Sequence, residues 1–249
     1  MTVSKSALAR IIHNFDEAAE RYDRAARVQA GIARRLVDWA APAVAPVHVL
    51  DLGAGTGHVA AALAERWPGA LLTALDSAPL MLQQAQRKVR GLNIICADAG
   101  AIDVAPRFDA MFSSMMLHWL PEPYEVAHRW RRGLKADGRL YLALLTEDSF
   151  YEWRALCAGE GLKDGLWKMP DRRFADGIAL RRQAQKLPVR YASAAAFLHN
   201  LKAIGAATPR ATHKPFSPAT MRKLLQKAPR PFVVSYEVLY VELPSSRSV

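Results

Sequence analysis

The stretch Val49-Leu50-Asp51-Leu52-Gly53-Ala54-Gly55-Thr56-Gly57 restricts this chain more than any other. A short apolar run ends in glycines at every second position. A buried strand must therefore pass into a loop that turns tightly and lets a ligand approach the backbone with no Cβ in the way. Two common uses of such a loop do not fit. A dinucleotide fingerprint spaces its glycines Gly-x-Gly-x-x-Gly, whereas here the third glycine comes one residue early and His58 stands in its place. A phosphate-cradling P-loop needs a following Gly-Lys-Ser/Thr, which is missing.

Around this loop the pattern alternates. Residues 7–41 read as helical, and Pro42 and Pro46 then punctuate the chain. Apolar strand-like runs at 47–52, 70–75, 92–97, 108–113 and 140–145 enclose helical segments at 59–67, 79–89 and 122–134, with Asp76 or Ser77 placed to cap the second of these. This order predicts an α/β fold whose parallel sheet carries helices on both faces. Beyond Thr146 the rhythm changes: helices at 149–158, 194–204 and 218–228, a polar loop at 159–176, and two late, antiparallel strands at 187–192 and 232–243. Three parts are expected: 1–45 as a helical segment covering the site, 46–146 as the α/β core, and 147–249 completing the core with helical insertions as a lid. Residues 244–249 read as a frayed tail.

Ligands of open α/β sheets bind beyond the carboxyl ends of the strands. Asp76 ends the second strand, where a carboxylate can accept both hydroxyls of a ribose, and Asp98 ends the third. Three acids at successive strand ends, with Asp51 before the glycine loop, define one site. The pattern Asp-x-Gly-x-Gly-x-Gly resembles the first motif of class I methyltransferases that use S-adenosylmethionine (SAM). The resemblance implies a Rossmann-like, mostly parallel seven-stranded sheet with SAM as cofactor. It implies Asp51 toward the methionine amino group, Asp98 toward the adenine amino group and Met81 packed on the adenine. Gly53, Ala54, Gly55, Gly57, Ser77, Ala99 and Ser113 complete the implied cofactor set.

The segment Phe112-Ser113-Ser114-Met115-Met116-Leu117-His118-Trp119 contains no Asn/Asp-Pro-Pro-aromatic sequence of the kind used on nucleobase amino groups, and neither Cys96 nor Cys157 adjoins a proline. A carboxylate acceptor moves up, since it is ionised near neutral pH and needs no general base. The N-terminal run from Phe15 to Gln29, the run Ala195 to Ala206, and the segments Phe216 to Leu225 and Phe232 to Val241 resemble malonyl-acyl-carrier-protein O-methyltransferases of biotin synthesis. This resemblance implies methylation of the free carboxyl of a malonyl thioester, which primes pimeloyl formation. It places Tyr22 and His118 as catalytic residues and Trp119 in the acceptor pocket. Many members carry Gln where His118 stands, and Leu117-His118-Trp119 also resembles trans-aconitate methyltransferases, so methylation of a small soluble carboxylate stays open.

The net charge of +11, with 34 Lys and Arg against 23 Asp and Glu, suits a polyanionic partner. Acyl carrier protein is such a partner, and Arg181 and Arg182 are the expected contacts, carried on the lid. A basic RNA methyltransferase ranks last because no interleaved aromatic platform accompanies the charge. No metal spacing, signal peptide or membrane-spanning run is read, which predicts a cytoplasmic protein without membrane insertion or nucleic-acid partner.

Overall fold

A computed structural model describes residues 5–208 and 213–247. The expected N-terminal helix is two: α1 (Lys5–Ala25) and α2 (Arg27–Trp39). Ala26 leaves helical dihedrals at φ −88° and ψ 33° and is fully buried. The bend is slight in hydrogen bonding, since Ala26 N still donates to Tyr22 O at 2.8 Å.

The core follows as β1 (His48–Leu52), α3 (His58–Arg66), β2 (Leu71–Asp76), α4 (Pro79–Lys88), β3 (Asn93–Cys96), β4 (Phe108–Ser114), α5 (Pro123–Trp130) and β5 (Leu134–Leu145). It continues as α6 (Tyr151–Ala158), β6 (Arg181–Tyr191), α7 (Ala194–Ala203), α8 (Pro218–Lys227) and β7 (Phe232–Pro244). One sheet holds all seven strands in the order β3-β2-β1-β4-β5-β7-β6. The first five are parallel, and β7 runs antiparallel to both β5 and β6. The Rossmann-like expectation, with two late antiparallel strands, is met.

Strand alternation sends successive residues to opposite faces. Val49 and Phe112 join a core with α2, α3 and α7, while Leu50 and Met111 join another with Val126 and Trp130 of α5. Each such fully buried side chain contributes about 1.5–3 kcal/mol relative to exposure. Proline at the first turn starts α4, α5 and α8, and Ser193 and Ser217 cap α7 and α8 through Ala196 N and Thr220 N.

Four local expectations are corrected. Neither Asp76 nor Ser77 caps α4; instead Asp16 of α1 accepts from Leu80 N at 2.7 Å. The strand expected at 187–192 begins six residues earlier, so Arg181 and Arg182 lie on β6 rather than on a lid helix. The strand expected at 140–145 begins six residues earlier, at Leu134, with Gly138 inside it where the register against β4 shifts. The tail is anchored through Ser245, which is fully buried, with Arg131 donating to the carbonyls of Pro244 and Ser245; residues 248–249 lie outside the description. Among the described residues no helix is long and apolar enough to cross a membrane, and no group of three His, Cys, Asp or Glu side chains could hold a metal ion.

Candidate active site

At the carboxyl ends of β1, β2 and β3 lies a cavity of about 940 Å³. The glycine loop forms one wall, with Gly53, Gly55 and Gly57 at φ +70°, +53° and +81°. Their reasons differ. A Cβ on Gly57 would stand 2.8 Å from the Ala85 Cβ, so that glycine lets α3 and α4 pack together. A Cβ on Gly55 would meet nothing within 4 Å, so there the backbone faces open space.

Asp76 is tied down by two backbone donors, Gly55 N at 2.8 Å and Ala78 N at 2.9 Å, one to each oxygen. Each carboxylate oxygen accepts at two lone pairs, so one acceptor position per oxygen stays free to meet a pair of hydroxyls. Burial first, against these hydrogen bonds, pushes its pKa above the usual carboxylate range. Asp98 accepts from Gly100 N at 2.7 Å through Oδ1 and also lines the cavity. Ser77, Ala99 and the buried Met81 complete this end.

Asp51 stands beneath the loop, 2% exposed, with neither oxygen hydrogen-bonded. Burial, and then the charge of Asp76, raise its pKa to about 8. The Ala60 N–H, in the first turn of α3, lowers it somewhat without making a full hydrogen bond. Among the described residues no cation compensates this carboxylate, so near neutral pH the group is mostly protonated.

The roof is α1. Phe15 packs edge-on against Trp119 at 5.8 Å between ring centroids, and Tyr22 lies behind it. The end of α1 is clasped to the core by Asp23, which accepts from Thr56 Oγ1 at 2.6 Å and pairs with Lys88 Nζ at 2.8 Å. His58 Nε2 lies 3.2 Å from the same carboxylate but off the hydrogen-bonding direction. These contacts hold the Asp23 pKa below the ordinary range despite its partial burial.

A second cavity, of about 1490 Å³, opens from the first. Tyr22, Gln29, Met115 and Trp119 line both. Its walls are apolar and aromatic, with Phe150, Trp153, Trp167 and Phe216 from the segments after β5. His118 belongs to this chamber, 6% exposed, and burial lowers its pKa to about 4. Asn14 Nδ2 donates to Thr208 Oγ1 at 2.8 Å, and Trp167 Nε1 donates to Thr208 O at 2.7 Å, joining α1 to the late insertions above the chamber.

Not every expected site residue arrives. Ser113 is buried and donates to Leu52 O at 2.8 Å, while its neighbour Ser114 lines the cofactor-side cavity. Arg181 stacks over Trp39 at 3.9 Å and pairs with Glu242 at 3.2 Å, and Arg182 pairs with Asp176. Neither arginine lines the two cavities.

Residues 50–142 match the model of a methyltransferase domain. In three dimensions the chain is similar to the YcgJ protein of Bacillus subtilis, with a TM-score of 0.58 over 85% of this chain and 97% of that one; at 15% identity this bears on the fold. A malonyl-[acyl-carrier protein] O-methyltransferase of Magnetococcus marinus is 32% identical over 247 residues, 93% of this chain and 90% of that protein. The chain belongs to the malonyl-[acyl-carrier protein] O-methyltransferase family. A biotin biosynthesis bifunctional protein of Bordetella avium is also 32% identical over 250 residues, with this chain spanning 53% of its length. Gln29, Phe15, Thr56 and Ser114 also line the first cavity and were not among the residues expected there. Signals were present in the spacing: Phe15, Tyr22 and Gln29 recur every seven residues on one helical face, and residues 112 and 114 share a face of β4.

Proposed function

We propose that the protein transfers the methyl group of SAM to the free carboxylate of a malonyl thioester on acyl carrier protein, a step of biotin synthesis. The observation that carries the reading is the junction: a cavity lined by Asp76 and Asp98, with Asp51 buried beneath its glycine loop and not itself in the lining, shares Tyr22 with a largely apolar chamber. The chain's own residues fit the cofactor. Asp51 lacks a cation that the methionine ammonium supplies, Asp76 retains two acceptor positions for the ribose, and Met81 floors the adenine end beside Asp98. When bound, SAM supplies an electrophilic methyl group on a sulfonium.

What the chain contributes is position and dryness. Tyr22 keeps its proton, because burial first, then Asp76 and Asp23, push its pKa up, so it serves as a hydrogen-bond donor at neutral pH. His118 is neutral there and forms part of the wall; no base is needed for an acceptor already ionised. Aligning the carboxylate on the methyl axis supplies the main advantage. An apolar chamber favours a reaction in which opposite charges meet and vanish.

In this reading residues 1–45 roof the site, 46–146 hold the cofactor, and the insertions within 147–249 enclose the acyl arm. A small polycarboxylate is less well matched, because Lys202 and the imidazoles of His118 and His213 are the only basic side chains lining the chamber among the described residues. Supporting an acidic carrier protein, Lys168, Lys202, Lys214 and Arg222 are exposed around the segments lining the chamber and make no ion pair among the described residues. They replace Arg181 and Arg182 as the docking contacts. The deciding experiment incubates purified protein with SAM and malonyl-acyl-carrier protein and follows intact mass. A gain of one methyl on the malonyl group, together with rescue of a biotin auxotroph lacking this activity, is expected. Methylation of trans-aconitate but not of the malonyl carrier would overturn the reading.

A further inference from the structure

Gln29 is a polar side chain of this site for which the chain itself offers no use. It lies in the first turn of α2, is 9% exposed, and lines both cavities beside Tyr22. Its Oε1 is sealed from solvent with no hydrogen-bond partner, and its amide nitrogen makes no hydrogen bond among the described residues. A buried amide left unpaired weakens the fold, and methionine or leucine would fill the same space without that cost.

The partner it waits for has a recognisable chemistry. Ala33, one turn on from Gln29 in α2, and Val59, at the start of α3 just after the glycine loop, share that lining, and α2 and α3 pack in one core, which puts Gln29 at the glycine-loop end of the cofactor cavity. Among the described residues no Lys or Arg lines that cavity, and its one imidazole, His58, is held toward its neutral form by burial and by Lys88. Neutral donors are what a carboxylate beside a sulfonium calls for, because a fixed cation there would repel the cofactor's own charge. An amide N–H to an anion is among the stronger hydrogen bonds.

We propose that Gln29 is a carboxylate-binding residue whose amide donates to a ligand carboxylate at the junction of the two cavities. This rests on the reading that the first cavity holds SAM. Two carboxylates come to this junction, the amino-acid carboxylate of the cofactor and that of the acceptor, and one experiment separates them. Gln29→Met, close in shape but without a donor, is compared with wild type in three measurements. These are the Kd for S-adenosylhomocysteine, the Kd for methylthioadenosine, which lacks the amino acid, and the KM for malonyl-acyl-carrier protein at saturating SAM.

A loss of about ten- to a hundredfold, the worth of one hydrogen bond to a charged group, is expected in a carboxylate-bearing ligand alone. Weaker S-adenosylhomocysteine with methylthioadenosine unchanged assigns the cofactor carboxylate. A raised KM with both nucleoside affinities unchanged assigns the acceptor. Gln29→Glu, which sets like charge against the same group, must deepen whichever loss is seen, and Gln29→Asn serves should Gln29→Met fail to fold. Unchanged values in both arms, or an equal loss of methylthioadenosine and S-adenosylhomocysteine, would overturn the proposal. Failure of wild-type protein to bind either nucleoside would instead count against the SAM reading itself.

Discussion

Cofactor binding should drive a proton off Asp51. The side chain is 2% exposed, has no hydrogen-bond partner and carries a pKa of about 8 without ligand. At pH 7 such a group is protonated in about nine molecules of ten. A methionine ammonium placed against it returns the pKa toward the ordinary carboxylate range, so about 0.9 proton leaves per cofactor bound. Two titrations of S-adenosylhomocysteine at pH 7, one in phosphate and one in Tris, measure this directly, because the difference in observed heat scales with the protons handed to buffer. The same linkage makes affinity rise with pH, with the Kd roughly fiftyfold weaker at pH 6 than at pH 8. Asp51→Asn should abolish both effects as well as weaken binding. Equal heats in the two buffers, with a flat Kd between pH 6 and 8, would refute the assignment of Asp51 to a cation.

The same carboxylate should weigh on the unliganded fold. A folded pKa raised above the unfolded one means that stability is lost as pH rises from about 4 to 8. Asp51→Asn should therefore stabilise the ligand-free protein at pH 8 by on the order of 2 kcal/mol once the cost of a buried amide is subtracted, read as a higher melting temperature; no gain at pH 8 over pH 5 would contradict this. Asp76→Ala should weaken S-adenosylhomocysteine by at least about tenfold, one hydroxyl contact's worth, as read by calorimetry. Reversing Lys202 and Lys214 to Glu should raise the KM for the carrier-linked malonyl group in a salt-dependent way and leave the nucleoside Kd alone, whereas Arg181→Glu should chiefly lower stability, since it faces Glu242. Gly57→Ala should cost about 1–3 kcal/mol in denaturant unfolding, from a φ of +81° and a Cβ driven onto Ala85.

Much of the cofactor side was legible because its signals are local. Glycines at alternate positions after an apolar run, and acids at three strand ends, depend only on the residues beside them. The rest depends on long-range packing. Gln29 follows Tyr22 by seven residues and so shares its helical face, but a lone glutamine there reads as one more polar helix residue until the fold sets that face against the cavities. Residues 181–186, Arg-Arg-Gln-Ala-Gln-Lys, carry no apolar face and become a strand only through their pairing with β7. Ser113 and Ser114 differ by one residue, and one step along a strand reverses the face. The tail looked loose because its anchor, the buried Arg131, lies more than a hundred residues away.

The placement of β6 carries a further meaning for the charge. It is an edge of the sheet, eleven residues long, with one rim of backbone groups open to any passing strand. Along it stand Arg181, Arg182, Lys186 and Arg190, and Pro188 interrupts the donors. Long cations and proline are how natural edges discourage strand addition. Part of the basic excess thus addresses other copies of this chain, keeping them from extending the sheet, rather than attracting a partner.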